Sequence, residues 1–147
     1  MKKKCIFKAF SLILCVVLIA VTALIAVGCQ EKSSKNDETA VSEVLGDGAV
    51  KFYFTVTDQD GKSEKFEINT DKEIVGDALQ ELGLISGEEG EYGLYVKIVN
   101  GIEADFNKDG TYWAFYINGN YAMSGIDSTK IEAGSTYTLK VEKWRYE

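Results

Sequence analysis

Val50–Leu82 reads VKFYFTVTDQDGKSEKFEINTDKEIVGDALQEL, and two hydrophobic periods follow one another within it. Val50 to Val56 is β-branched and aromatic, with polar residues on alternate positions toward its ends, and it stops at the turn composition Asp58-Gln59-Asp60-Gly61. Ser63 to Asn69 returns with Phe66 and Ile68 on one face, which completes a hairpin. The period then changes. Thr70 and Glu73 have the spacing of a capping box, and from Asp71 to Leu82 the residues Ile74, Val75, Ala78, Leu79 and Leu82 form a single helical stripe. Gly83 predicts the stop. A helix apolar on one side has to bury that side, and the hairpin before it supplies one edge of a sheet to receive it.

Beyond the helix the signals are β. Ser86 to Glu91, rich in Gly and Glu, reads as a loop, and Gly93 to Val99 as a strand. Asn100-Gly101 is a tight-turn pair, with Ile102 to Phe106 as a short return. Asn107-Lys108-Asp109-Gly110 is a turn into the aromatic strand Thr111-Tyr112-Trp113-Ala114-Phe115-Tyr116-Ile117. Asn118-Gly119 is a second tight-turn pair before Tyr121-Ala122-Met123, and Tyr137 to Trp144 is a last strand. Hairpin, one helix, then strands predicts an α+β domain, a mixed sheet with a helix packed on one face.

Upstream, Met1 to Lys8 is basic and Ala9 to Val27 is almost wholly apolar, in the order of a secretory signal. The ending Ile25-Ala26-Val27-Gly28-Cys29 resembles a bacterial lipobox, which implies cleavage before Cys29 and lipid on its thiol. An uncleaved signal anchor is the alternative, since an apolar run of about twenty residues also spans a bilayer. Either way the domain is expected outside the cell, held at the membrane. Residues 30 to 48 carry too few apolar side chains to repay the entropy of ordering them and read as a flexible tether. The expected organisation is a lipoprotein signal peptide over 1–28, lipidated Cys29 and tether over 29–48, and one domain over 49–147.

Charge and composition narrow the function. The chain has 16 Lys+Arg against 23 Asp+Glu, no His and no Pro. Four of the cations (Lys2, Lys3, Lys4 and Lys8) precede Cys29, leaving 12 against 23 from there onward, a balance of −11. Such a field repels phosphate backbones, so nucleic acid is not expected as a partner. Without His, Ser-His-Asp and Cys-His catalysis are excluded, as are His ligands to zinc, haem or cobalt. With Cys5 and Cys15 in the signal and Cys29 lipidated, the mature domain would hold no free thiol.

The second half carries a family resemblance in an ordered set: Tyr92-Gly93-Leu94, Val99-Asn100-Gly101-Ile102, Thr111-Tyr112-Trp113-Ala114-Phe115, Asn118-Gly119, Gly125-Ile126 and Ile131 to Gly134. It resembles the C-terminal domain of the transcobalamin and intrinsic-factor proteins and the bacterial transcobalamin-like C-terminal family, DUF4430. The resemblance implies a β-grasp-like fold, a sheet embracing one helix, and in the vitamin carriers this domain covers one face of the corrinoid. Two departures stand out: those carriers add a large helical domain that forms the other half of the site, and this chain has no His for cobalt. A corrinoid here would be held by face packing and a few hydrogen bonds. The resemblance points to Tyr112, Trp113, Phe115, Tyr116, Asn118, Tyr121, Gly125 and Ile126 as ligand-binding residues. Side chains alternate along a strand, so Trp113 and Phe115 share one face and Tyr112 and Tyr116 the other, and only one set is expected to line a ligand surface.

Two further motifs read as structural. Asp105-Phe106-Asn107-Lys108-Asp109-Gly110 matches the first half of an EF-hand loop, but its twelfth position is Tyr116, which offers no bidentate carboxylate. Glu88, Glu89 and Glu91 form a solvated acidic loop rather than an acid/base pair. The sequence therefore predicts no catalytic residue, no bound metal and no required cofactor. It predicts a non-enzymatic surface lipoprotein that captures or presents cobalamin or another flat ligand, with that small molecule or an uptake-system protein as the expected partner. The alternative is a protein- or glycan-interaction module with no small ligand.

Overall fold

A computed structural model describes residues 39–145, within the unit Glu38–Glu147. The signal segment, Cys29 and the first part of the tether lie outside the described residues. The expected hairpin is formed by β2 (Val50–Thr57) and β3 (Ser63–Thr70), paired antiparallel from Val50↔Thr70 to Thr57↔Ser63. Alternation puts Phe52, Phe54, Val56, Phe66 and Ile68 on one buried face and Lys51, Tyr53, Thr55, Lys65 and Glu67 on the other.

β9 (Thr136–Lys143) lies parallel to β2, and β7 (Thr111–Ile117) lies antiparallel to β9. Their buried residues fall opposite one another, Phe54 against Tyr137, Val56 against Leu139 and Trp113 against Val141. With β1 (Val41–Leu45) at one edge and β8 (Asn120–Tyr121) at the other, the sheet runs β1-β3-β2-β9-β7-β8. Helix α1 (Val75–Glu81) supplies Val75, Ala78 and Leu79 to the same core, all fully buried. The α+β class and the sheet embracing a helix are borne out.

Several elements differ from expectation, each for a physical reason. α1 starts at Val75, not Asp71, and no capping box forms, because its first free N–H groups are taken by a distant loop. Val75 N donates to Thr129 O and Gly76 N to Ile126 O, each at 2.9 Å, while Thr70 Oγ1 accepts from Lys72 N. The tether gives way at Val41, where β1 pairs in parallel with β3 and Leu45 packs against the core. Gly46 and Gly48 make that possible: a Cβ on Gly48 would stand 2.1 Å from the Thr70 carbonyl carbon, and one on Gly46, at φ +76°, would stand 2.3 Å from Asn69 O.

The expected loop at Ser86–Glu91 is instead mostly strand. β4 (Ile85–Gly90) pairs with β5 (Gly93–Val99), and β5 with β6 (Ile102–Glu103), in a separate three-stranded sheet. The expected turn at 107–110 is instead mostly a one-turn helix, α2 (Phe106–Asp109), closed at Gly110 and capped by the Asp105 side chain accepting from Asn107 N. Asn100 and Asn118, at φ 47° and 48°, form the two expected Asn-Gly turns.

Candidate functional site

β7 is locked at its start by Asp109, whose Oδ1 accepts from both Thr111 N (3.0 Å) and Thr111 Oγ1 (2.5 Å). The Thr111 hydroxyl bond holds that carboxyl below the ordinary carboxylate range. Alternation then sends Trp113 inward, 8% exposed, with Nε1 donating to Lys97 O at 3.1 Å. Phe115 stacks on buried Tyr137, ring centroids 6.3 Å apart. On the outer face, Tyr112 and Tyr116 both donate to the Glu142 carboxylate across the ladder, at 3.2 and 2.5 Å. The bond to Glu142, reinforced by burial, pushes the Tyr116 phenol up to about 12; burial and then the Glu142 charge raise Tyr112 as well. Both phenols therefore remain donors at neutral pH. Tyr121 meets Tyr116 edge to face at 5.5 Å.

β8 pairs with β7 only at Tyr116↔Tyr121 and Ile117↔Asn120. Beside the first half of β7, where β5 and the segment after β8 approach, two clefts open. One, of about 470 Å³, is lined by Tyr95, Phe106, Asn107, Tyr112, Tyr121 and Trp144. The other, of about 180 Å³, adds Trp113, Phe115, Ser124, Gly125 and Ile126, and shares Tyr95, Tyr112 and Tyr121 with the first. Together they make an aromatic groove whose outer rings remain in solvent: Trp144 is 53% exposed and Tyr121 58%. Phe106 and Trp144 meet edge to face at 6.3 Å.

Six of the eight sequence-predicted residues thus line the groove: Tyr112, Trp113, Phe115, Tyr121, Gly125 and Ile126. Residues of both faces of β7 contribute, contrary to expectation, because the smaller cleft opens at the strand's edge rather than on a face. Trp113 and Ile126 contribute as core residues at its floor. Tyr116 lines neither cleft. Asn118 serves the turn, its Oδ1 accepting from Thr136 N at 2.8 Å and its Nδ2 donating to Ser135 Oγ at 3.3 Å. Tyr95, Phe106 and Trp144 were not singled out by the sequence; each comes from a different element, so no local motif announces them.

A cavity of about 520 Å³ lies elsewhere, between Gly46-Asp47, Asn69 to Lys72 and Glu81-Leu82. Its walls include Asp47, Asp71, Lys72 and Glu81 and no aromatic ring, so it offers no stacking face to a flat ligand. Among the described residues no group of three or more His, Cys, Asp or Glu is placed to hold a metal ion. In the EF-hand-like stretch Asp105 caps α2, Lys108 bridges Glu103 at 2.8 Å and Asp105 at 3.6 Å, and Asp109 binds Thr111. Glu88 pairs with Lys97 at 2.7 Å at the surface.

Residues 73–143 match DUF4430, described as a domain of unknown function. The resemblance read from the ordered motifs is borne out over that span. The DUF4430 match begins just before α1 and ends with β9, so it contains every residue of the groove except Trp144. Among solved structures, a Ruminococcus gnavus protein described as a candidate metal-binding protein is 27% identical, with a TM-score of 0.63; the match covers 66% of this chain and 100% of that one. Haptocorrin, solved in complex with Cbi, is 18% identical with a TM-score of 0.50, covering 69% of this chain and 27% of haptocorrin. At that identity the likeness is one of fold, and the chain spans about a quarter of haptocorrin's length. No curated protein matches the sequence.

Proposed function

We propose that this chain is a non-enzymatic binding module that presents its aromatic groove to a flat, amphipathic small molecule, cobalamin-like in class. The observation that carries this proposal is the convergence of Tyr95, Phe106, Tyr112, Tyr121 and Trp144 around about 470 Å³ of open cleft, with Asn107 on the rim. Aromatic rings left in water on a folded domain supply large contact area at small cost in side-chain entropy, and their faces match planar ligands. The cleft accepts one face or edge of a ring system, as the half-site reading requires. The fold shared with haptocorrin, which was solved with Cbi, supports the ligand class. We further propose that lipid on Cys29 holds the module at the outer face of the cell membrane, the role assigned to the basic, apolar and small-residue order of residues 1–29.

A second reading has its own support. Tyr92 and Met123, 94% and 97% exposed, stand outside the groove lining, as a protein- or glycan-docking surface would have them.

Calorimetric titration of the purified chain with cyanocobalamin separates the two. Binding is expected with a Kd at or below about 100 μM, equivalent to roughly −5.5 kcal/mol. Trp144→Ala should abolish it and leave the far-ultraviolet circular dichroism and the denaturation midpoint nearly unchanged. A wild-type chain silent at that concentration overturns the small-ligand proposal in favour of the interaction module.

A further inference from the structure

The loop after β8 holds an acid that the groove does not expose and the fold does not otherwise explain. Residues 124–129 are fixed by their backbone: Ile126 O and Thr129 O accept from the first turn of α1, and Thr129 Oγ1 donates to Gly125 O at 2.7 Å. Gly76 permits that approach, since a Cβ there would already lie 3.0 Å from Asp127 Cα and from Ile126 O. From this fixed base the Asp127 carboxylate reaches the first residues of β5. Its Oδ2 accepts from Leu94 N at 3.0 Å, a pairing across 33 residues of sequence.

The carboxylate occupies space that two glycines leave free. A Cβ on Gly93, whose φ is +103°, would stand 2.3 Å from Oδ2, and a Cβ on Gly125 would stand 2.4 Å from Oδ1. A Cβ at either position would force the Asp127 carboxylate to swing aside, so a side chain at Gly93 or Gly125 competes with its hold on Leu94 N. Gly125, singled out in the sequence as a ligand residue, thereby gains a different reason to be glycine.

β5 belongs to the small sheet and has no backbone ladder to β7. Further along, it is held by Trp113 Nε1 donating to Lys97 O; near its start it is held by Asp127. Leu94, Tyr95 and Val96 form one wall of the groove, with Leu94 held by Asp127 and Tyr95 and Val96 between the two fastenings. We propose that Asp127 is a positioning residue that fixes the separation of Tyr95 from Tyr112 and Tyr121, and so the width of the groove; this rests on the groove being the binding site. A hydrogen bond to a charged acceptor is among the stronger ones, and the β4 ladder that also holds this strand end ties it only within the small sheet.

The test uses the full chain, with hydrogen exchange read residue by residue and cyanocobalamin affinity read in parallel. In Asp127→Ala, amide exchange at Leu94–Val96 should quicken by about tenfold or more while Phe54, Ile68 and Leu139 keep their protection, and affinity should weaken by about tenfold. Asp127→Asn, whose amide oxygen still accepts from Leu94 N, should restore most of both. Gly125→Ala, which places a methyl where Oδ1 stands and carries no positive φ to strain, should quicken exchange at Leu94–Val96 in the same way and serves if Asp127→Ala does not fold. Unchanged exchange at Leu94, or acceleration spread evenly over the core, overturns the proposal. Local acceleration with unchanged affinity overturns it too. A wild-type chain that binds no cyanocobalamin defeats the groove as the site, and local acceleration in Asp127→Ala then leaves Asp127 a hairpin fastening with no part in binding.

Discussion

The same residue types have opposite fates in two regions of this molecule. Phe52, Phe54, Phe66 and Tyr137 are sealed into the core and Trp113 is buried beneath the groove floor, whereas Tyr95, Phe106, Tyr121 and Trp144 stand partly in water around a cleft. The interior rings sit at alternate positions of long, paired strands, and each faces another apolar residue across the ladder or from α1. The groove rings sit on a minor-sheet strand, a one-turn helix, a two-residue strand and a strand's exit. A ring's burial follows from what its element pairs with, not from its own hydrophobicity.

The largest effect expected to sharpen that contrast is Trp113→Ala. It opens a void under β5 and leaves Lys97 O without the indole donor, and should cost about 3–5 kcal/mol in chemical denaturation. Trp144→Ala should cost less than about 1 kcal/mol, as substitutions of half-exposed side chains generally do. Comparable losses in the two variants would break the distinction between core and groove rings.

Next in size is Gly48→Ala. Its new methyl would press on the Thr70 backbone, and the strain should lower stability by about 1–3 kcal/mol while detaching β1 from β3. Unchanged stability would mean that residues 41–48 behave as the tether read from the sequence.

The smallest effect concerns the outer face of β7. Because the folded Tyr116 phenol is held at about 12 against an ordinary 10.0, the folded state keeps its proton while the unfolded chain loses it. The associated stability is complete below pH 10 and lost as pH climbs toward 12. Denaturation midpoints followed over that window should fall, and Tyr116→Phe should remove that part of the fall. An identical decline in both proteins would show that the Glu142 contact contributes nothing.

The hairpin and the long strands were legible because their periods extend over whole elements, and the two Asn-Gly turns because only a left-handed backbone explains them. β4 was hidden for the opposite reason. Its Ser86-Gly87-Glu88-Glu89-Gly90 composition suits a loop, yet Gly87 is there because a Cβ would lie 2.0 Å from Tyr95 O across the ladder. The helix start was misplaced because Thr70 and Glu73 satisfy the local capping rule, while the N–H groups actually found carbonyls some fifty residues away. At the site, Tyr112 and Tyr121 were within reach of strand alternation and the family resemblance; Tyr95, Phe106 and Trp144 were not.

The sequence alone determined the α+β class, the order of its main elements, the acidity of the chain from Cys29 onward and the exclusion of His-based chemistry, since each depends on local period or on composition. Only the tertiary structure decided that residues 41–45 join the sheet, which aromatic rings remain in water, and that Asp127 fits between Gly93 and Gly125. Those outcomes depend on contacts between segments far apart in the chain, and no local pattern encodes a distance between two loops.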